Sequence, residues 1–294
     1  MKTTKNYIAV LMTAMIFAMI LPGCATKKAA WGSLKKGMNM SYTPGQEKEL
    51  SYKATSNFVQ EMSVMNQEFT VTADMMQVFK MKPMETENEN LGYKVTVEDM
   101  SFKLQTPRGD IEPEMGDIIG QSFELILSPF GKELEYSGAK KLVMEVATGD
   151  TKSIASDIAA FFPDLPGHPV KPGDSWKSVD EVWDGNESKE TILLFDNINT
   201  FDKLETYMGY DCMKINVVFT GTIEGEGTQE GMDLVTTGKV QGTGTWYYAY
   251  KEGIFVSSSV EGTGKTETLV TGEGQEITIP ADRTFTMTTQ LASK

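Results

Sequence analysis

The sequence predicts a mainly β fold with a small helical insert. The expected architecture is a strongly curved antiparallel sheet, half-barrel-like, with one or two helices in its concavity; a β-sandwich is the alternative. Three observations predict it. Apolar and polar residues alternate over long runs on both sides of the chain's centre, the mark of half-buried strands. Turn residues punctuate those runs near Gln229-Gly231, Glu252-Gly253 and Gly272-Gly274. The stretch 139–162 switches to helical spacing.

The first element precedes the sheet. Lys2 and Lys5 lead into a fifteen-residue run, Tyr7 to Leu21, that only Thr13 interrupts. The run is shorter than the roughly 20 residues of a spanning helix and matches the apolar part of a secretory leader. It ends Leu21-Pro22-Gly23-Cys24, which resembles the lipobox of bacterial lipoproteins. That resemblance implies removal of residues 1–23 and multiple acylation of Cys24, a stable membrane anchor. Ala25 follows where aspartate would mark inner-membrane retention, which places the protein at the outer membrane if the host has two. Residues 24–48 carry Lys27, Lys28, Lys35 and Lys36 and few large apolar side chains, and read as a flexible tether to a single domain, 49–294.

Within that domain, Leu50, Tyr52, Ala54, Phe58, Met62 and Val64 share one parity, and Phe69, Val71, Ala73, Met75, Phe79 and Met81 share another. Next, Leu91, Tyr93, Val95 and Val97 are odd but Met100, Phe102 and Leu104 are even. Both halves reach the core only if a bulge near Glu98-Asp99 absorbs one residue. In the centre, a short helix is expected within Pro113–Gln121 and short strands at Phe123–Leu127 and Glu133–Tyr136. Ala139–Val146 reads as a helix, and a second one capped by Thr151 or Ser153 would run through Phe161. Strands resume after Ser175. Met213 to Ile223 alternate at odd positions, Met232 to Tyr250 at even ones, and Ile277 to Leu291 at odd ones.

Glycines interrupt one of these hairpins. Gly242 and Gly244 lie on one arm, Gly262 and Gly264 on the other, all at the parity of Trp246, Tyr248 and Val256. Pairing 242 with 264 and 244 with 262 centres the turn on Gly253. A strand glycine marks a bend or a close approach. Two readings stay open: a bend or room for a helix, or space for a hydrophobic ligand lined by Gly242, Gly244, Trp246, Tyr248, Val256, Gly262 and Gly264. Gly262-Thr263-Gly264-Lys265-Thr266 ends like a phosphate-binding loop, but Ser259 stands where its first glycine belongs and a strand follows, so nucleotide binding is rejected.

Leu165, Pro166, Pro169, Val170, Gly173, Asp174 and Trp176 form a Leu-Pro-x-x-Pro-Val-x-x-Gly-Asp-x-Trp segment. It resembles one found in a family of bacterial lipoproteins of unknown function. The resemblance implies a β-rich fold and no catalytic residues.

Composition narrows function. The formal charge of −14 opposes nucleic-acid binding. A single histidine, His168, and two cysteines leave no nucleophile–base pair or metal set, and no cofactor is expected. With Cys24 acylated, Cys212 has no disulfide partner and reads as an inert buried thiol. The Met62–Met65 and Met81–Met84 pairs point to opposite strand faces and read as adaptable apolar surface, not a copper site. The chain therefore reads as a non-enzymatic envelope lipoprotein. It carries or senses a hydrophobic ligand, a lipid or other small molecule, or alternatively is a structural protein that binds an envelope partner.

Overall fold

The computed structural model describes residues 31–43, 49–65, 67–86, 88–115, 117–147, 150–185, 189–229, 231–272 and 274–292. The leader and Cys24 lie outside them. Two strands, β1 (Gly32–Ser33) and β2 (Gly37–Met38), form a small hairpin. The main sheet starts with β3 (Leu50–Val64), β4 (Gln67–Met84), β5 (Leu91–Thr106), β6 (Gly109–Ile111), β7 (Ser122–Leu127) and β8 (Glu133–Glu135). A second small hairpin, β9 (Val143–Ala147) and β10 (Asp150–Ser153), follows. The main sheet resumes with β11 (Ser175–Gly185), β12 (Lys189–Tyr207), β13 (Tyr210–Gln229), β14 (Met232–Ala249), β15 (Ile254–Gly272) and β16 (Gln275–Leu291).

These make one antiparallel sheet of twelve strands, ordered β11-β12-β13-β14-β15-β16-β3-β4-β5-β7-β8, with β6 added to β5. It is strongly curved and not closed: β11 and β8 remain edges. The edges approach each other, since Lys132 Nζ donates to the Val179 carbonyl at 3.5 Å. A single continuous sheet replaces the sandwich alternative. β12 runs unbroken through Asp196-Asn197, where Asn197 and Asn199 turn inward and find partners.

The expected bulge is present. Val78 pairs with Asp99 and Phe79 with Val97, leaving Glu98 as the extra residue. Val95, Val97 and Met100 are therefore all buried. A second bulge changes the glycine hairpin. Tyr247 pairs with Ser257 but Tyr248 with Phe255, so Val256 is extra. The turn centres between Lys251 and Glu252 rather than on Gly253, and with the bulge beyond it Gly242 faces Gly262 and Gly264 faces Val240, two residues from the expected register.

The centre corrects the helical reading of 139–162. Ser137–Lys141 is a 3₁₀ turn, Val143–Ala147 and Asp150–Ser153 pair as β9 and β10, and among the described residues there only Ala155–Ile158 is α-helical. Where a short helix is expected within Pro113–Gln121, the described residues make turns instead, with Ile118 N–H donating to Met115 O at 3.0 Å and Gln121 N–H to Ile118 O at 3.0 Å. What the helical spacing captured is a plug: Ile154, Ile158, Phe161 and Phe162 are buried against the sheet. Around Phe161 and Phe162 gather Tyr52, Phe79 and Phe255, with ring centroids 5.2–6.4 Å apart.

The tether reading is corrected for residues 31–43, which dock on the domain. Met38, Met40 and Tyr42 alternate and are buried at 2%, 2% and 4% exposure. Met38 bridges Val170, and Tyr42 N–H donates to Pro129 O at 2.8 Å. The Leu165–Trp176 segment receives this strap. Leu165 and Val170 are buried, Gly173 takes φ +93°, a left-handed turn that favours glycine, and Asp174 accepts from Lys171 N–H at 2.8 Å. Among the described residues, the core and the strands lie between Trp31 and Leu291.

Candidate functional site

The concave face holds an open cavity of about 480 Å³, inside the usual range of ligand sites. Its walls are the inward residues of β3, β4 and β11 to β16, and residues 152–164 cover one side. Strand alternation places them: Leu193 and Phe195 on β12, Val217 and Phe219 on β13, Val260 on β15, and Phe285 and Met287 on β16. Trp246 lies at its base, 3% exposed. Its indole N–H donates to Asn199 Oδ1 at 3.0 Å, its ring meets Trp176 edge-on at 5.9 Å, and Asn199 in turn donates to Ser178 Oγ at 3.1 Å.

The seven residues expected to line a ligand site divide. Trp246 and Gly264 are on the cavity wall. Gly242 and Gly262 sit one layer behind, beneath aromatic rings from the neighbouring strands. A Cβ on Gly242 would come within 2.4 Å of Phe219 Cζ, and one on Gly262 within 2.4 Å of Phe285 Cζ. These glycines thus admit two rings 6.2 Å apart rather than open a hole. Gly244 lies under Val217 and Val260. Tyr248 and Val256 belong to the core. The Tyr248 hydroxyl bonds the main chain of Ser41, and burial pushes its pKa up to about 12.

Polar groups collect on the β11 side. Lys152 Nζ pairs with Asp157 Oδ1 at 3.0 Å and Ser156 Oγ at 2.7 Å, and Gln77 donates to Asp157 Oδ2 at 2.8 Å. Asn197 donates to Asp180 Oδ2 at 2.6 Å. On the opposite wall, Arg283 of β16 projects inward. The sequence reading passed over it, although a charged residue at the apolar parity of Ile279, Ala281 and Phe285 was a visible signal.

Where the sheet edges meet, burial raises three carboxyls: Glu133 well above its ordinary value, Asp164 to about 6, and Asp180. The Asp180 charge adds to the Asp164 shift and Lys132 opposes it. An acid whose folded pKa is raised stabilises the fold fully below its unfolded pKa, and that contribution is lost as pH rises through the folded value. The Tm is expected to fall between pH about 4 and about 6, and Asp164→Asn to flatten this slope and raise Tm at neutral pH. Thermal unfolding at stepped pH checks it; an unchanged slope in the variant refutes it. The Asp164 carbonyl, which accepts the Trp176 indole N–H at 3.0 Å, is untouched by the exchange.

The other singled-out side chains are quiet. His168 is solvent-exposed in its loop. Cys212 is fully buried, its thiol faces the Tyr207 carbonyl at 3.9 Å, and burial pushes its pKa up to about 12, far from a reactive thiolate. Among the described residues, no group of three His, Cys, Asp or Glu is placed to hold a metal ion.

No protein-family profile and no curated protein matches the chain. Among solved structures, Pseudomonas aeruginosa OccK5 (OpdH) overlaps 85% of this chain and 100% of its own, at 8% identity and TM-score 0.23. Pseudomonas aeruginosa OccK2 (OpdF) overlaps 84% and 99%, at 6% identity and TM-score 0.24. Salmonella typhi OmpF in complex with daunomycin overlaps 84% and 100%, at 6% identity and TM-score 0.23. Scores this low say nothing about the activity of this chain.

Proposed function

We propose that this protein is a non-enzymatic lipoprotein of the bacterial cell envelope, anchored through acylated Cys24, whose curved sheet holds a hydrophobic ligand. The observation that supports the ligand is the cavity of about 480 Å³, walled by Leu193, Phe195, Phe219, Val260 and Phe285. The leader and the Leu21–Cys24 lipobox support the anchor. The Leu165–Trp176 segment keeps its likeness to envelope lipoproteins of unknown function, and its role here is structural, as the seat of the 31–43 strap.

Filling the cavity tests the reading. Ser258 lines it and pairs directly with Trp246. Ser258→Phe places an aromatic ring opposite the indole, a favourable cross-strand pair, and occupies ligand space. The expected result is an unchanged or higher Tm with binding of a neutral fluorescent probe such as N-phenyl-1-naphthylamine weakened about tenfold or more, close to 1.4 kcal/mol. A chain from Ala25 onward, which keeps every described core residue, serves for the titration. Undiminished probe binding in a folded variant overturns the reading. A wild-type protein that binds no probe but returns one stoichiometric envelope partner from membranes favours the structural alternative.

A further inference from the structure

Arg283 is the part of the cavity that an apolar ligand does not explain. It stands on β16 between Ala281 and Phe285 on the inward parity, facing Gly264 across one strand boundary and Gln60 across the other. Its Nε is buried without a hydrogen-bond partner, and among the described residues no carboxylate lies within ion-pair distance of it. The adjacent Asp282 does not serve it, because Asp282 points to the other face and pairs with Lys265 at 3.0 Å. The guanidinium rests 5.6 Å from the Phe58 ring centroid. A ring face attracts the cation but does not answer the in-plane Nε–H donor.

The chain has 41 acidic residues, yet among the described ones none pairs with the cavity arginine. The acids that do line the cavity, Asp157, Asp164, Asp180 and Asp184, stand on the β11 and 152–164 wall. Lys152 and Gln77 occupy Asp157, and Asn197 occupies Asp180. The cavity is therefore polarised, with uncompensated positive charge at one place and negative charge opposite. The half-buried Arg283 is short of an acceptor for its Nε–H, and a guanidinium offers a carboxylate or phosphate a two-pronged fit. From the Arg283–Gly264 level to the Trp246–Ser258 level is six residues along β15, roughly 20 Å of strand. Phe219, Val260 and Phe285 flank that path.

Resting on the ligand-carrier reading, we propose that the ligand is a single-chain amphiphile with an oxyanion head. The head seats on Arg283 and the acyl tail runs toward Trp246. A volume of about 480 Å³ suits one chain rather than a two-chain lipid.

The test uses the chain from Ala25 onward, stripped of bound lipid, and displacement of N-phenyl-1-naphthylamine by hexadecanoate, hexadecyl phosphate and hexadecanol. The three share one tail and differ in the head. The expected result is that at least one anion displaces the probe at a concentration about tenfold below that of hexadecanol. The preferred anion then distinguishes a fatty-acid source from a phosphate-headed one. Arg283→Met should erase the preference while hexadecanol competes as before, and Arg283→Lys should restore part of it. Equal competition by all three in the wild type, or a preference that survives Arg283→Met, overturns the proposal while leaving the carrier reading intact. Failure of the probe itself to bind the wild type overturns both.

Discussion

Tyr42→Ala is expected to destabilise the fold by about 3–5 kcal/mol and to lower Tm by roughly 10 °C, although Tyr42 precedes the main sheet. Its ring is 4% exposed and meets Phe162 and Tyr248 edge-on, each at 5.7 Å. Its hydroxyl donates to Pro163 O at 2.9 Å. The tyrosine thereby ties the 31–43 strap to the plug and to β14 at once. Truncation leaves a void among aromatic rings that cannot collapse, and cavity cost adds to the lost transfer energy. Tyr42→Phe keeps the ring and gives up one hydrogen bond, at about 1 kcal/mol. Denaturant unfolding of the three proteins checks the order. If alanine and phenylalanine cost the same, the strap is bound by its main chain and not by this side chain.

Trp246→Ala is expected to cost a similar 3–5 kcal/mol and also to widen the cavity from below. The loss has two parts. One is the buried indole itself, packed on Trp176. The other is Asn199, 3% exposed, whose Oδ1 loses its donor; an orphaned buried acceptor costs about 1–3 kcal/mol. Trp246→Phe isolates the second part. The double variant Trp246→Phe/Asn199→Leu removes both partners, and should recover most of what Trp246→Phe alone loses. A double variant no better than the single one would show that the hydrogen bond contributes little and that shape is the whole effect.

Much of the fold was legible because its cause is local. Period-two alternation belongs to each strand separately, so the strands and their inward faces could be read from residues such as Met213, Ile215 and Val217. The bulge at Glu98 was legible for the same reason: it shifts the apolar parity between Val97 and Met100. The bulge at Val256 was not, since Ile254, Phe255 and Val256 are all buried and an unbroken apolar run carries no parity to break. The strap was misread because its alternation, Met38-Met40-Tyr42, is too short to stand out among lysines and glycines. In the 139–162 stretch Ile154, Ile158, Phe161 and Phe162 share a side at helical spacing, yet β10 holds the chain extended to Ser153 and the helix closes a single turn, Ala155–Ile158.

From residue order alone came the β class, the single greasy face of each strand and the acidic surface. All three follow from chemistry repeated at short range. Folding in three dimensions settled which side chains meet: Phe219 over Gly242, Phe285 over Gly262, Trp246 beneath the cavity, and Arg283 opposite the acids. Such encounters depend on accumulated curvature and on register between strands far apart in the chain, and a one-residue bulge resets both.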